Sequence, residues 1–167
     1  MTIEISKKEI FDEVEKRSSL EGSVLPERFE GIWASEDEGK FLDSYWVEAC
    51  SAVVEMLKRY MKGATFEHSL NRYDKDEVFS AHTEMPSRYN FSFDGVVQTE
   101  LKMMMACSIL YRWLHVVSAE QATKYDEESK GYMDSVRSKL LYRDEPRWQK
   151  PKEKGICDNV FIPQRHC

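Results

Sequence analysis

The chain has 167 residues and a formal net charge of -6, with 41% hydrophobic, 32% charged and 12% aromatic residues. This composition is typical of one soluble globular domain, and 8 Phe, 8 Tyr, 4 Trp and 8 Met against 7 Gly and 5 Pro exclude a mainly disordered or collagen-like protein. No apolar run approaches the roughly 20 residues that a membrane helix needs, and residues 1–8 lack the pattern of a secretory signal, so we expect synthesis in the cytosol and no membrane contact.

Charge is distributed unevenly along the chain. Residues 1–50 carry six Lys or Arg against thirteen Asp or Glu, whereas residues 137–167 carry eight against four. This polarity would allow identical copies to associate head to tail, or the basic end to bind an acidic partner. Solvated surface charge without any partner explains the same pattern and stays open as the alternative.

The first predicted element is a short amphipathic helix over residues 7–17. Ser6 and Glu9 fit the capping box that opens helices, and apolar residues then recur at helical spacing. We expect the helix to end near the serines at positions 18 and 19. Residues 20–34 contain glycine, proline and several apolar residues, which predicts a loop with apolar anchors or a single helical turn.

A longer helix is predicted over residues 36–62. A second capping box, Ser35 with Glu38, opens it, and over the range 41–61 the apolar positions step by three and four. Gly63 follows as a stop signal. The aromatic residues on the apolar face of this helix indicate core packing in preference to a cofactor pocket.

The period changes after this glycine, and residues 64–84 are predicted to form a β-hairpin. Apolar and polar residues alternate at first, Val78 to Thr83 continue as a second strand, and Asp74, Lys75 and Asp76 supply the turn. The turn is too polar for the core, so we expect the hairpin to project from the helical body.

The hairpin also predicts a pair of histidines. A turn centred on Lys75 would place His68 directly opposite His82 on one face. Two histidines are too few for a closed metal site, so the pattern favours a partly exposed pair over a pair of metal ligands.

Residues 94–117 are predicted to form the central buried helix. Asp94 can cap it, and apolar residues cover most of its circumference. His115 lies inside this helix, where the pattern favours a histidine that packs against another helix over a catalytic one.

The last predicted helix covers residues 119–141. Ser118 and Gln121 form a third capping box, and apolar residues again recur at helical spacing. Gly131 lies inside the helix, which allows for a kink or a break at that position.

These elements predict a mainly α fold: a helical bundle with a small β-hairpin insertion and an extended C-terminal arm. The hairpin is too small to be independent, so residues 1–142 are expected to form one helical domain, with the hairpin at about 64–84. Prolines and a glycine among basic residues predict that residues 143–167 form the extended basic arm.

The arm is predicted to be a docking element. Its prolines exclude a continuous helix, its cations resist burial without partners, and its apolar residues would not be needed in a solvated linker. Residues 159–162 could add a strand to the sheet edge of a partner, or the arm could fold back on its own subunit. The residues expected to dock are Arg143, Arg147, Trp148, Lys150, Lys152, Lys154, Val160, Phe161 and Ile162.

The sequence offers no catalytic motif. It contains no glycine-rich phosphate loop, no His-Glu-x-x-His and no Gly-x-Ser-x-Gly. Cys50 and Cys107 lie in apolar helical patterns as small hydrophobic residues, while Cys157, His166 and Cys167 are too few and too loosely placed to predict a metal site. An acidic domain is also poorly suited to nucleic acid. We therefore expect neither an enzyme nor a bound cofactor or metal.

Two stretches carry a resemblance to a known protein family. They are EDEGKFL (36–42) running into ACSAVVEMLKRY (49–60), and VQTELKMMMAC (97–107). The order of parts is a long acidic-capped helix, a short hairpin, an almost wholly apolar helix, a further helix and an arm. This order resembles the head-to-tail connector (adaptor) proteins of tailed bacteriophages, and the resemblance covers about residues 36–117 of the chain.

The resemblance implies a structural virion protein that acts mechanically. Such connectors form a ring of about a dozen copies below the portal, which extends the DNA channel and docks the tail. The expected partners are therefore further copies of the chain, the portal protein, and the tail or a second ring protein, with DNA only as passing cargo. The family has no catalytic residues to carry over.

The resemblance further implies a location in the virion, and in the host cytoplasm during assembly. The hairpin turn would contact a neighbouring copy or line the channel. The first 34 residues and the basic arm exceed the minimal connector, so the contacts with neighbours do not follow from the family. The alternative is a small helical cytosolic interaction or regulatory subunit unrelated to phage.

Overall fold

The fold is mainly α with a small antiparallel sheet, as the sequence predicts. The computed structural model describes residues 1–24, 33–34, 39–65 and 76–145. In chain order the elements are β1 (Thr2–Ser6), α1 (Lys7–Val24), α2 (Gly39–Leu57), β2 (Met61–Thr65), β3 (Val78–Thr83), a 3-10 turn (Phe91–Phe93), α3 (Asp94–Val117) and α4 (Ala119–Leu141).

The sheet has three strands in the order β1-β3-β2, and both pairings are antiparallel. Strand β1 is absent from the sequence prediction, although its residues alternate between exposed and buried. Ile3 and Ile5 are fully buried and pack with Phe79 and Ala81 of β3. The sheet therefore supplies one apolar face to the core of the helical body.

The outer edge of β1 is closed at one point by a side chain. The Lys7 amide donates to the Glu77 carbonyl, and the Thr83 amide donates to the Met1 carbonyl, so the backbone groups of residues 1 and 7 face β3. Because these groups point to alternate sides along a strand, the carbonyl of Glu4 points away from β3. On that side Gln98 Nε2 of α3 donates to the Glu4 carbonyl oxygen at 2.7 Å.

The predicted histidine pair is wrong. Strand β2 begins at Met61, earlier than predicted, and the register with β3 is irregular between Met61 and Gly63. As a result His82 lies opposite Gly63 on one side and Thr2 on the other. His68 lies outside the described residues. The Thr2 hydroxyl and His82 Nδ1 are 3.3 Å apart.

Helix α1 is seven residues longer than the predicted 7–17, because it continues to Val24. Of the two serines expected to end it, Ser18 forms a hydrogen bond within the helix instead. Ser18 Oγ donates to the Glu15 carbonyl at 3.0 Å and accepts the Ala34 amide N–H at 3.0 Å. Ser18 thereby fixes residue 34 against α1.

Helix α2 ends at Leu57, five residues before the predicted end, while residues 36–38 of its predicted start lie outside the described residues. Its last turn gives way to a tight turn, in which the Tyr60 amide bonds the Leu57 carbonyl and the Tyr60 carbonyl accepts from Glu84. The chain thus enters β2 at Met61, and the apolar period of the helix ends there. The predicted cap at Ser35 lies outside the described residues.

Helices α3 and α4 have the predicted bounds, but their predicted caps are not formed. Phe93 occupies the N-cap position of α3, and the side chain of Ser118 makes no capping bond to α4. Gln121 Oε1 is buried without a hydrogen-bond partner among the described atoms. Helix α4 runs unbroken through Gly131, where a Cβ would meet open space.

One core joins the sheet and all helices of the described ranges, which confirms that α2 and α3 share it. Trp46 of α2 and Leu110 of α3 are fully buried within it. Some residues of the predicted apolar faces lie outside: Phe41 is 65% exposed and Val116 is 78% exposed, both near helix ends. The prediction that His115 packs between helices is wrong: His115 is exposed, and its ring meets the edge of Tyr111 on the same helix.

Candidate functional site: interaction surfaces

Of the residues predicted to dock partners, Arg143 is described. Its NH1 donates to the carbonyl of Leu140 at 2.7 Å and to that of Tyr142 at 2.6 Å, which satisfies carbonyls at the C-terminus of α4. The guanidinium therefore acts as a helix cap here. The remaining predicted docking residues lie outside the described part of the chain: Arg147, Trp148, Lys150, Lys152, Lys154, Val160, Phe161 and Ile162.

Residues 142–145 lie along the loop that precedes α3. The Asp144 amide donates to the Arg88 carbonyl at 2.9 Å, and Asn90 Nδ2 donates to Asp144 Oδ1 at 3.2 Å. The rings of Phe93 and Tyr142 meet edge to face at 5.4 Å. The first residues of the predicted arm are thus held against the loop before α3.

Large apolar side chains are exposed where α3 begins and α4 ends. Phe91 is 60% exposed and Leu141 is 63% exposed, with Val96 and Tyr142 also exposed. We call these four residues the apolar end. Grouped exposed apolar residues are typical of interaction surfaces, since a monomer gains nothing by leaving them in water.

A groove of about 370 Å³ lies next to the apolar end, between the last turns of α2 and α4. The Tyr60 hydroxyl reaches the Leu140 carbonyl at 3.5 Å and joins the two helices. Arg59 lies exposed on the turn after α2 and makes no ion pair with any described residue. The groove is lined by Glu55, Met56, Lys58, Arg59, Tyr60, Arg137, Leu140 and Leu141, so its cations outnumber its one carboxylate.

A second cleft, of about 420 Å³, lies on the outer face of α1. It is lined by Asp12, Glu15, Lys16, Ser19 and the half-buried Trp33. Asp12 and Glu15 form no ion pair within the described ranges. The other carboxylates of α1 do: Glu9 with Lys102, Glu13 with Arg17 and Glu21 with Lys124.

The seam between α1 and α4 holds a larger cleft of about 700 Å³, but its charges are matched. Arg17 bonds Glu13 at 2.7 Å and Glu128 at 3.1 Å, and Lys124 bonds Glu21 at 3.0 Å. The pairs Arg17–Glu128 and Lys124–Glu21 bind α1 to α4, and the matched charges leave little unbalanced charge for a ligand. The seam is structural.

The thiol of Cys107 lies at the inner end of this seam and is not activated. Burial raises the pKa of Cys107 to about 12, although the neighbouring Arg17 guanidinium opposes the rise. Its Sγ lies 3.6 Å from Glu128 Oε2, so the thiol stays protonated and donates to the carboxylate. Burial likewise raises the pKa of the Cys50 thiol. A nucleophilic cysteine needs the opposite shift.

A lysine and two carboxylates form a buried cluster that sequence reasoning misses. Lys7 Nζ contacts Asp43 of α2 and lies 3.0 Å from Glu77 Oε2, just before β3. Lys7 has no exposed surface. The three residues lie far apart in the chain and carry no local signal, and their burial makes the cluster a structural one.

The described residues contain no group of three or more His, Cys, Asp and Glu side chains that could hold a metal ion. Within the same ranges no helix is long and apolar enough to cross a membrane. Of the predicted hairpin turn, Asp76 is described and exposed, while Asp74 and Lys75 lie outside. The cysteines and histidine of the C-terminal arm lie outside as well.

Comparison with family models, with curated proteins and with solved structures gives no match to this chain. Function is therefore inferred from the order of the elements and from the surfaces described above.

Proposed function

We propose that the chain is a structural protein of a tailed-bacteriophage virion, a head-to-tail connector that assembles as a ring below the portal. The ring extends the DNA channel and docks the tail, with DNA only as passing cargo. The observation that carries the proposal is the order of elements over residues 39–117. A long helix is followed by a small antiparallel strand pair and then by a buried apolar helix, α3.

The distribution of surface features supports a ring. A closed ring needs heterologous contacts, in which one face of a copy meets a different face of the next. The chain presents an apolar end beside a cationic groove, and a separate acidic cleft on α1. Two different and complementary surfaces on one chain suit such contacts better than the self-complementary patch of a two-fold dimer.

The remaining roles follow from the same proposal. Residues 143–167 dock on the portal or on the adjacent ring, and the turn at residues 74–76 contacts a neighbouring copy or lines the channel. The protein acts in the virion and is present in the host cytoplasm during assembly. Its work is mechanical, so it needs neither catalysis nor a cofactor.

Assembly state tests the proposal. The purified full chain is examined by light scattering and by negative-stain electron microscopy over a wide range of concentration, alone and, where a portal gene lies beside its own, with that portal protein. Rings of many copies, free or seated on the portal, are the expected result. A monomer or dimer under every condition contradicts the proposal and favours a small helical interaction or regulatory subunit.

A further inference from the structure

Unpaired charges of opposite sign lie on two separate surfaces of the chain. Arg59 protrudes from the turn after α2, at the rim of the groove between α2 and α4. Asp12 and Glu15 line the cleft on α1, beside the ring of Trp33. None of these three charged groups has an ion-pair partner in the described part of the chain, although most charges around them do.

We propose that Arg59 of one copy enters the α1 cleft of the next copy, where it pairs with Asp12 and Glu15 against the Trp33 ring. The proposal rests on the proposed ring function and names the contact that builds the ring. A guanidinium suits this cleft because it can bond a carboxylate with two parallel N–H groups while its plane stacks on an aromatic ring. Arginine and tryptophan are also the residues that most often dominate interfaces.

The surroundings of the two surfaces match in charge and in polarity. Lys58 and Arg137 flank Arg59, so the groove carries three cations against Glu55, whereas the cleft carries two carboxylates against Lys16. Leu141 lines the groove, while Leu20 is 61% exposed one turn beyond Lys16 and lines the neighbouring cleft between α1 and α4. The contact would therefore place apolar groups beside the ion pairs, which excludes water from them.

The occupant of the cleft is a second copy, because Arg59 and the cleft lie on different surfaces of one chain and do not meet. Both surfaces belong to the folded body, so their association orders few additional groups. The contact is heterologous, and each copy offers one donor and one acceptor. Repetition of such a contact closes into a ring when its rotation divides a full turn.

Charge reversal on either side tests the contact. Arg59→Glu places a carboxylate against Asp12 and Glu15, and the double variant Asp12→Lys/Glu15→Lys places ammonium groups against Arg59. Each variant alone should raise the concentration needed for half-assembly at least tenfold, because like charges are brought together. An equimolar mixture should restore rings, since each variant then meets the opposite charge on its neighbour.

Three controls accompany these variants. Arg112→Glu reverses an exposed charge that pairs with Glu48 outside both surfaces, and should assemble as the wild type does. Arg59→Lys keeps the charge without the planar group, and should weaken assembly less than Arg59→Glu. Circular dichroism of each variant shows that the subunit is folded.

The outcomes separate this contact from the proposed function. A wild-type chain that never assembles contradicts both. Rings formed by the wild type and equally by both charge-reversed variants overturn the contact alone. Assembly lost on truncation after Glu145 but retained in Arg59→Glu also overturns it, and shows that assembly depends on the arm.

Discussion

The ammonium of Lys7 lies 3.0 Å from Glu77 Oε2, although 70 positions separate the two residues in the chain. The same ammonium contacts Asp43, so one fully buried cation joins the start of α1, the first turns of α2 and the approach to β3. A buried cation of this kind is tolerated only while its partners are present. The cluster fixes Glu77, just before β3, against α1 and α2.

Replacement of Lys7 should therefore destabilise the fold strongly. Lys7→Met leaves Asp43 and Glu77 without their cation, and we expect a loss of about 3–5 kcal/mol in the free energy of unfolding. Urea denaturation measures it. Lys8→Met changes the exposed neighbour and should stay within about 0.5 kcal/mol of the wild type. Equal midpoints for the two variants would contradict the role assigned to the cluster.

The shared core of α2 and α3 predicts large losses at two positions. Trp46→Ala and Leu110→Ala each remove a fully buried side chain, so each should lower the free energy of unfolding by about 2–5 kcal/mol. Phe41→Ala is the matched control on α2, because that ring is mostly exposed, and its effect should stay near about 0.5 kcal/mol. A control as costly as Trp46→Ala would count against the core described here.

The seam between α1 and α4 should weaken in acid. Burial disfavours the charged form of Glu21, but the Tyr125 hydroxyl at 2.8 Å and the Lys124 ammonium outweigh it, so the pKa of Glu21 lies below its ordinary value. This contribution to stability is present above the unfolded pKa and is lost as pH falls through the folded pKa. Urea midpoints of the wild type and Glu21→Gln should differ at neutral pH and converge in acid. A constant difference would show that Glu21 does not titrate with folding.

Two truncations should differ in their effect on the subunit. Truncation after Glu145 keeps every described contact of the chain end, so the thermal midpoint should stay close to that of the full chain. Truncation after Tyr142 removes the Arg143 cap and the bond from Asp144 to Arg88, and should cost about 1 kcal/mol for each bond lost. Differential scanning calorimetry compares the two.

The same truncation after Glu145 tests docking by the arm. We expect it to abolish attachment to the portal or the adjacent ring, since the basic and apolar residues beyond 145 are then missing. A pull-down with portal protein measures attachment. Portal binding that survives truncation would show that the docking residues lie in the folded body and not in the arm beyond residue 145.

The predicted hairpin turn is testable without disturbing the fold. Asp74→Ala/Lys75→Ala should leave the urea midpoint unchanged, because Glu77 and its buried contact remain in place. Assembly or particle infectivity should fall if the turn contacts a neighbour or lines the channel. Normal assembly together with normal infectivity would show that Asp74 and Lys75 have no functional role.

Sequence patterns suffice for the longest helices and fail where the signal is short. The periodicity of α3 and α4 extends over 24 and 23 residues, so their bounds follow even though their predicted caps do not form. Strand β1 has five residues and passes directly into α1 at Lys7, so no turn residue marks its end. Ser6 is the last residue of this strand and also the first of the capping box, so the sequence there indicates the start of a helix.

The candidate surfaces were beyond sequence reasoning for a different reason. Arg59, Asp12 and Glu15 look like any solvated charge on a helix or turn. What sets them apart is that each lines a groove or cleft and makes no ion pair with a described residue, and that depends on which distant residues the fold brings near. The sequence shows that charge is distributed unevenly along the chain, but it does not show which charged residues line a groove or cleft.

The amide of Gln98 has a consequence for how copies of the chain can grow into larger assemblies. An outer strand with open carbonyls and amides is a template on which further strands can add without limit, which leads to aggregates. Because Gln98 Nε2 occupies the Glu4 carbonyl in the middle of β1, a further strand could not form an unbroken run of backbone hydrogen bonds along β1. Sheet-to-sheet polymerisation is thereby discouraged, and side-chain surfaces are left to decide which copies meet.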